Sequence, residues 1–338
     1  MTGDDALAAV VRKPESEAAI AALRAEGVYD ATRKVTEYSE KTVALPVTDP
    51  PAETAVLDVV EQVDPERRLP DLAAHLRERG WSDDEIERAP GSWAVVGSVV
   101  LATFPADCPD RRAVGEALLD LHGEADTVVA REGISGEHRE PSVSVVAGAG
   151  DTETVHTEHG TRYALDFSTV MFSPGNKAER ARMGEVVESG ERVFDMFAGI
   201  GYFTLPMARA GAAVTAVERN PAAFRYLAEN AMLNDVADRV SAFRADCRDV
   251  DVDPRVDRVV MGYYEAHEYL DSALAALAPG GTIHMHEATP EDLLWDRPVS
   301  RLRAAAADRD REVAVLDRRK VKSHSEGVWH VVVDATVE

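Results

Sequence analysis

The 338-residue chain carries 61 acidic against 37 basic side chains, a net charge of −24, and 45% hydrophobic residues. That is enough apolar material for one large domain or two ordinary ones. No apolar run approaches a membrane span, and the amino terminus MTGDDALAAVV has acids where a secretory signal has Lys or Arg, so a cytoplasmic protein is expected. Cys108 and Cys247 lie far apart and outside any CxxC spacing, which argues against a disulfide framework or zinc-thiolate site and predicts two free thiols.

An acidic chain is ordinarily a poor nucleic-acid binder. Here only 6 of the 37 basic residues are Lys, while Asp, Glu, Ala and Val abound, the pattern of a halophilic protein whose acidity reports its solvent. In strong salt, local arginines and shape are left to recognise RNA.

In chain order, Pro14 to Glu26 predicts a helix stopped by Gly27, and β-rich runs follow at Arg33–Tyr38 and Lys41–Val47. Pro46 suits the second run to a sheet edge. Thr48–Glu53, TDPPAE, reads as a linker and possible sub-boundary. Helical pieces at Leu72–Arg79 and Asp83–Arg88 precede an apolar strand, Trp93–Phe104, interrupted by Gly97. Pro105–Asp110 marks the domain boundary, giving an N-terminal α+β region over 1–105 and a catalytic domain over 106–338. A helix at Arg111–His122, an alternating extended segment at Ser142–Phe167 and the loop FSPGN come next. From Glu191 onward strands at Val193, Val214, Val240, Val256 and Thr282 alternate with helices near Phe203, Ala222, His267 and Leu293. This predicts an α/β, Rossmann-like, mostly parallel sheet with helices on both faces. Val313–Arg318 and Val328–Ala335 read as a closing hairpin, with a final antiparallel strand at the sheet edge.

The turn AGIG, with Ala198, Gly199 and Gly201, lets a ligand approach the backbone at a helix start. A dinucleotide fingerprint wants a third glycine where this chain has Thr204, which lowers the NAD or FAD reading. S-adenosylmethionine fits better. Asp195 before the turn can order its ammonium, directly or through water; Glu218, ending the next strand, can accept from both ribose hydroxyls; Asp246, ending the third, can take the adenine amino group beside the Cys247 N–H. The alternative for any one of these acids is a turn or helix cap, the role read for Asn220 before Pro221.

The segments GEHREPSV, FSPGNKAER, FDMFAGIGYFTLPMA, AVERNP, DRVVMGYYEAHEYL, GGTIHMHE and VKSHSEGVWHVVVD resemble the tRNA wybutosine-synthesis aminocarboxypropyltransferases, relatives of the tRNA guanine-N1 methyltransferases. FSPGN and MGYY incline the resemblance to the former, since Gly262-Tyr263-Tyr264 stands where the methyltransferases carry Asn-Leu-Pro. The resemblance implies a class I S-adenosylmethionine-dependent enzyme that transfers the 3-amino-3-carboxypropyl group to C7 of 4-demethylwyosine, beside the anticodon of phenylalanine tRNA. It also implies Ser173 and Arg180, or alternatively Lys177, as anchors for the donor's carboxylate, Glu179 as general base and Arg139 near the target base. Arg139 reads equally as a surface arginine among Glu137 and Glu140. Tyr263 and Tyr264 can stack on a flipped base, one of them serving instead as core. His284 and His286 share a strand face but lack a third ligand, so no metal is expected; nor is a membrane or an obligate protein partner. Trp329 and His330 read as hairpin packing. A guanine-N1 methyltransferase, a non-catalytic tRNA-binding module and a nicotinamide dehydrogenase are the competing readings. The N-terminal region is assigned tRNA orientation by resemblance alone.

Overall fold

The computed structural model describes residues 6–136 and 140–338, so Arg139 lies outside the described residues. The chain divides between Arg88 and Ala89 into two units.

In the first unit, β1 (Leu7–Arg12), α1 (Ser16–Glu26), β2 (Thr36–Ser39), β3 (Thr42–Pro46) and β4 (Asp58–Glu61) precede α2 (Leu72–Glu78) and α3 (Asp83–Ile86). The strands form an antiparallel sheet in the order β2-β3-β1-β4. Leu23 and Ala19 of α1 pack on Ala9, Val11 and Leu45, and Gly27 ends the helix with φ +80°. β3 lies inside the sheet, not at its edge. Pro46 is tolerated there because it is the last residue of the strand, opposite Ala8 and beyond the Thr36–Ala44 pair where β2 begins. The Thr48–Glu53 stretch is tied back by the Glu26 carboxylate, which accepts from the N–H groups of Glu53 and Thr54, both at 3.0 Å. Strands on both sides of that stretch share the one sheet.

The second unit opens with β5 (Trp93–Val96), β6 (Val99–Ala102), α4 (Arg111–Leu121), β7 (Thr127–Ser135) and β8 (Glu140–Gly148). They make a four-stranded sheet in which β6 and β7 run parallel through the α4 crossover. The strands expected before Pro105 thus belong to a sheet with strands that follow it. A hairpin, β9 (Glu153–Glu158) and β10 (Thr161–Asp166), is followed by α5 (Lys177–Val186).

The main sheet consists of β11 (Arg192–Asp195), β12 (Ala213–Val217), β13 (Val240–Phe243), β14 (Val256–Met261), β15 (Leu277–Pro290), β16 (Val313–Ser325) and β17 (Val328–Val337). Their order is β13-β12-β11-β14-β15-β17-β16, parallel through β15. Helices α6 (Thr204–Arg209), α7 (Pro221–Leu233), α8 (Leu270–Ala276) and α9 (Asp296–Ala307) connect these strands. Alternation along β11 feeds two cores: Val193 packs with Ile200, Leu205 and Leu227, while Phe194 packs with Leu270, Leu274 and Leu302. The fold is therefore the expected doubly wound one, with one difference. The final strand is not at the edge: β17 inserts antiparallel between β15 and β16 and leaves β16 outermost. Among the described residues no helix is long and apolar enough to cross a membrane.

Candidate active site

β11 pairs with β12 on one side and β14 on the other, so the strand order reverses at its carboxyl end. Ligands of open α/β sheets bind at such a switch point. A cavity of about 600 Å³ opens there.

Gly199 and Gly201 hold φ +58° and +100°, and a β-carbon on Gly199 would lie 2.6 Å from the Tyr202 ring. Both conditions require glycine. Thr204, where a dinucleotide site has its third glycine, is buried and donates to Asp195 Oδ2 at 2.7 Å; the Phe197 N–H reaches Oδ1 at 3.4 Å. Asp195 is fully buried, and that burial pushes its carboxyl up to about 6. It lies behind the cavity lining together with Ala198 and Gly201, whereas Gly199 reaches the surface. Asp195 thus supports the turn through Thr204 and Phe197 from behind the lining.

Glu218 does face the cavity. Its two oxygens accept from the N–H of Gly199 at 2.8 Å and of Asn220 at 2.7 Å, and burial raises its pKa. Each oxygen keeps a lone pair for a ligand hydroxyl. Asn220 caps α7 as expected. Asp246 also lines the cavity, but its carboxylate caps the turn at Cys247–Asp249 and binds Arg248 bidentately at 2.9 and 2.7 Å. The Arg248 hydrogen bonds hold it at about 2. Cys247 lines the floor, its thiol pushed by burial up to about 12.

At the other end, Arg180 is 2% exposed and donates to Glu158 through Nε (2.6 Å) and Nη2 (2.8 Å), and to the Ser173 carbonyl through Nη1 (3.0 Å). It reaches the lining with its charge already matched, so it shapes the Ser173 loop more than it anchors a free carboxylate. Lys177 is exposed and outside the lining. The lysine in the cavity is Lys322 of β16, whose Nζ donates to Ser173 Oγ. Glu179 is buried away from the lining and gripped by Arg319, which also binds Asp334. A carboxylate so paired is not placed to take a proton from the cavity.

The acceptor wall carries Tyr263 and Tyr264. Tyr263 packs with Phe197 and Tyr269 at centroid distances of 5.1 and 6.2 Å, the core-like role, whereas Tyr264 faces His324 and His330 at 4.6 and 4.9 Å. Beside them a β-carbon on Gly262 would stand 2.7 Å from the Phe203 ring. His284 is occupied by Asp334 at 2.7 Å and by Arg258, apart from His286. Among the described residues no group of three side chains has metal-binding spacing. Lys322, His324 and His330 were missed by sequence reasoning as cavity residues. Period-two spacing of Lys322 and His324 on a strand was the available signal.

Residues 154–316 match the model of the TRM5/TYW2 methyltransferase domain, and residues 72–152 that of the TYW2 N-terminal domain. A Pyrococcus horikoshii protein named tRNA(Phe) (4-demethylwyosine(37)-C(7)) aminocarboxypropyltransferase is 38% identical over 258 residues, 75% of this chain and 92% of that protein. The structure of P. horikoshii TYW2 in complex with MeSAdo superposes with a TM-score of 0.69 at 35% identity, covering 78% of this chain and 96% of the other. Wild-type Trm5b from Pyrococcus abyssi gives 0.74 at 30% identity over 98% and 99%. By sequence and by fold, the chain belongs to the TRM5/TYW2 family.

Proposed function

We propose that the chain transfers the 3-amino-3-carboxypropyl group of S-adenosylmethionine to C7 of 4-demethylwyosine in phenylalanine tRNA, releasing methylthioadenosine. One observation carries the choice over guanine-N1 methylation: Gly262, pressed against Phe203, puts no side-chain amide at the end of β14 beside Tyr263 and Tyr264. The activity for which the P. horikoshii relative is named, and the MeSAdo complex, support the same reading.

The residues fit this donor. Glu218 presents acceptors for ribose hydroxyls, Asp246 and Cys247 form the adenine end, and Ser173 with Lys322 supplies a polar, cationic end for the amino-acid portion. When bound, the donor provides an electrophilic carbon next to sulfur. The chain's task is orientation: whichever carbon is aimed at the base decides the product. Arg180 holds the Ser173 loop, Asp195 and Thr204 hold the turn beneath, and Tyr264 offers an aromatic face to a flipped base. The first unit orients the tRNA, and the acid excess suits work in the cytoplasm of a cell at high salt.

Hypomodified tRNA incubated with donor labelled separately on the methyl and carboxyl carbons tests this reading. Carboxyl label alone is expected in the RNA. Methyl label entering instead overturns it in favour of methyl transfer.

A further inference from the structure

His286 on β15 and His330 on β17 are each 1% exposed, and both line the cavity beside Tyr264 and Gly262. Their rings meet: His286 Nδ1 and His330 Nε2 are 2.9 Å apart. The outer nitrogens, His286 Nε2 and His330 Nδ1, have no hydrogen-bond partner in the structure. A buried polar atom left unpaired is costly, so two of them in residues that line a cavity call for a ligand or a reaction. Burial holds His286 down at about 3 and His330 at about 2, so both rings are neutral. In a neutral pair joined by one hydrogen bond, whichever ring donates, one outer nitrogen bears a lone pair and the other an N–H. A proton arriving at the lone pair is shared across the inner bond. Phe203 against His286 (5.2 Å) and Tyr264 against His330 (4.9 Å) fix the ring planes.

Resting on the transfer reading above, in which Glu179 is committed to Arg319 and another group must receive the ring proton, we propose that the His286–His330 pair takes the proton from C7 of the acceptor base. The ring supplies an electron pair from C7 to the terminal carbon of the aminocarboxypropyl arm, and the carbon–sulfur bond breaks with its pair left on sulfur. The ring is then cationic, with C7 tetrahedral and still bearing hydrogen. Loss of that hydrogen as a proton to the imidazole returns the C–H pair to the ring and restores aromaticity. Such a C–H is strongly acidic, so a weakly basic neutral imidazole suffices. Water carries the proton from the pair to bulk after product leaves.

The test compares the wild type with His286→Asn and His330→Asn, using tRNA whose acceptor base carries hydrogen or deuterium at C7. Single-turnover transfer is expected to slow at least 30-fold in each variant. A primary isotope effect absent from the wild type should emerge, because the adduct then reverts before it deprotonates. Calorimetric affinity for methylthioadenosine should be unchanged, which shows that the variants are folded. Transfer within threefold of wild type, or no isotope effect in either variant, would overturn the proposal. A wild type that transfers only methyl sinks the transfer reading instead, and does so before any variant is made.

Discussion

Asp195 and Glu218 at two strand ends and Glu158 and Asp334 behind them are all withdrawn from water, Glu218 half-buried and the others buried, yet the two pairs behave oppositely. Glu158 and Asp334 meet guanidinium or imidazole groups at 2.6–2.8 Å. Burial pushes both up, but their hydrogen bonds more than offset it: Glu158 settles at about 2 and Asp334 lies well below the ordinary carboxylate range. Asp195 accepts from a hydroxyl and a backbone N–H, and Glu218 from backbone N–H groups with the Arg219 charge also pulling it down, yet burial keeps both raised. The first group has its cations built in and is scaffold. The second leaves negative charge under-compensated beside the cavity, where a sulfonium that also carries an ammonium completes it.

The largest effect expected from this contrast is on stability. Glu158→Gln strands the Arg180 guanidinium, 2% exposed, and should cost about 3–5 kcal/mol in denaturant unfolding. Adding Arg180→Met should recover much of it. A cost under about 1 kcal/mol for Glu158→Gln would dissolve the distinction between scaffold and site. The pH dependence has a definite sign. With a folded pKa of about 2 against an ordinary 4.5, the stability Glu158 contributes is present above 4.5 and lost as pH falls toward 2. Acid unfolding of Glu158→Gln should be flatter in that window.

Glu218→Gln should reverse the pattern. Removing a half-buried charge that burial disfavours leaves stability unchanged or higher, while affinity for methylthioadenosine falls about 10- to 100-fold, the roughly 1.5–3 kcal/mol of hydrogen bonds to a charged acceptor. Calorimetry with thermal unfolding on one sample separates the two. Lys322→Met sharpens the same point at the opposite end of the cavity. S-adenosylmethionine binding should weaken about 10-fold through loss of a charge-assisted contact, with methylthioadenosine, which has no carboxylate, unaffected.

The strand-end half of the site was legible because it is local. Asp195 and Glu218 each close an apolar run, Asp246 follows one by three residues, and AGIG declares a turn within a few residues of Asp195. The other half was not, because its pairs are far apart in the chain: Glu179 meets Arg319 across 140 residues and Ser173 meets Lys322 across 149. Which residue of a long outer strand faces Ser173 depends on register, and β16 changes register between Lys320 and Lys322. One such bulge switches which side chains enter the cavity. His330 read as hairpin packing for a related reason. Only insertion of β17 beside β15, rather than at the sheet edge, brings it against His286. Glu179 and Arg180 were assigned to chemistry by their motif, and their buried partners could not be read from it.

The smallest effect concerns Asp195. Its carboxyl stands at about 6 in the free protein because burial opposes the charge. A cation bound above the turn favours the ionised form, even through Thr204 or a water, so binding at acidic pH must expel a proton. S-adenosylmethionine affinity should therefore drop about twofold between pH 7 and pH 6 and about tenfold per unit well below that, as the linkage of one proton to binding requires. Methylthioadenosine lacks both the ammonium and the sulfonium charge and should show a shallower profile over the same range. Asp195→Asn should flatten the donor's curve as well. If both ligands keep one pH dependence in the wild type, Asp195 does not sense the ligand's charge, and its raised pKa belongs with the scaffold after all.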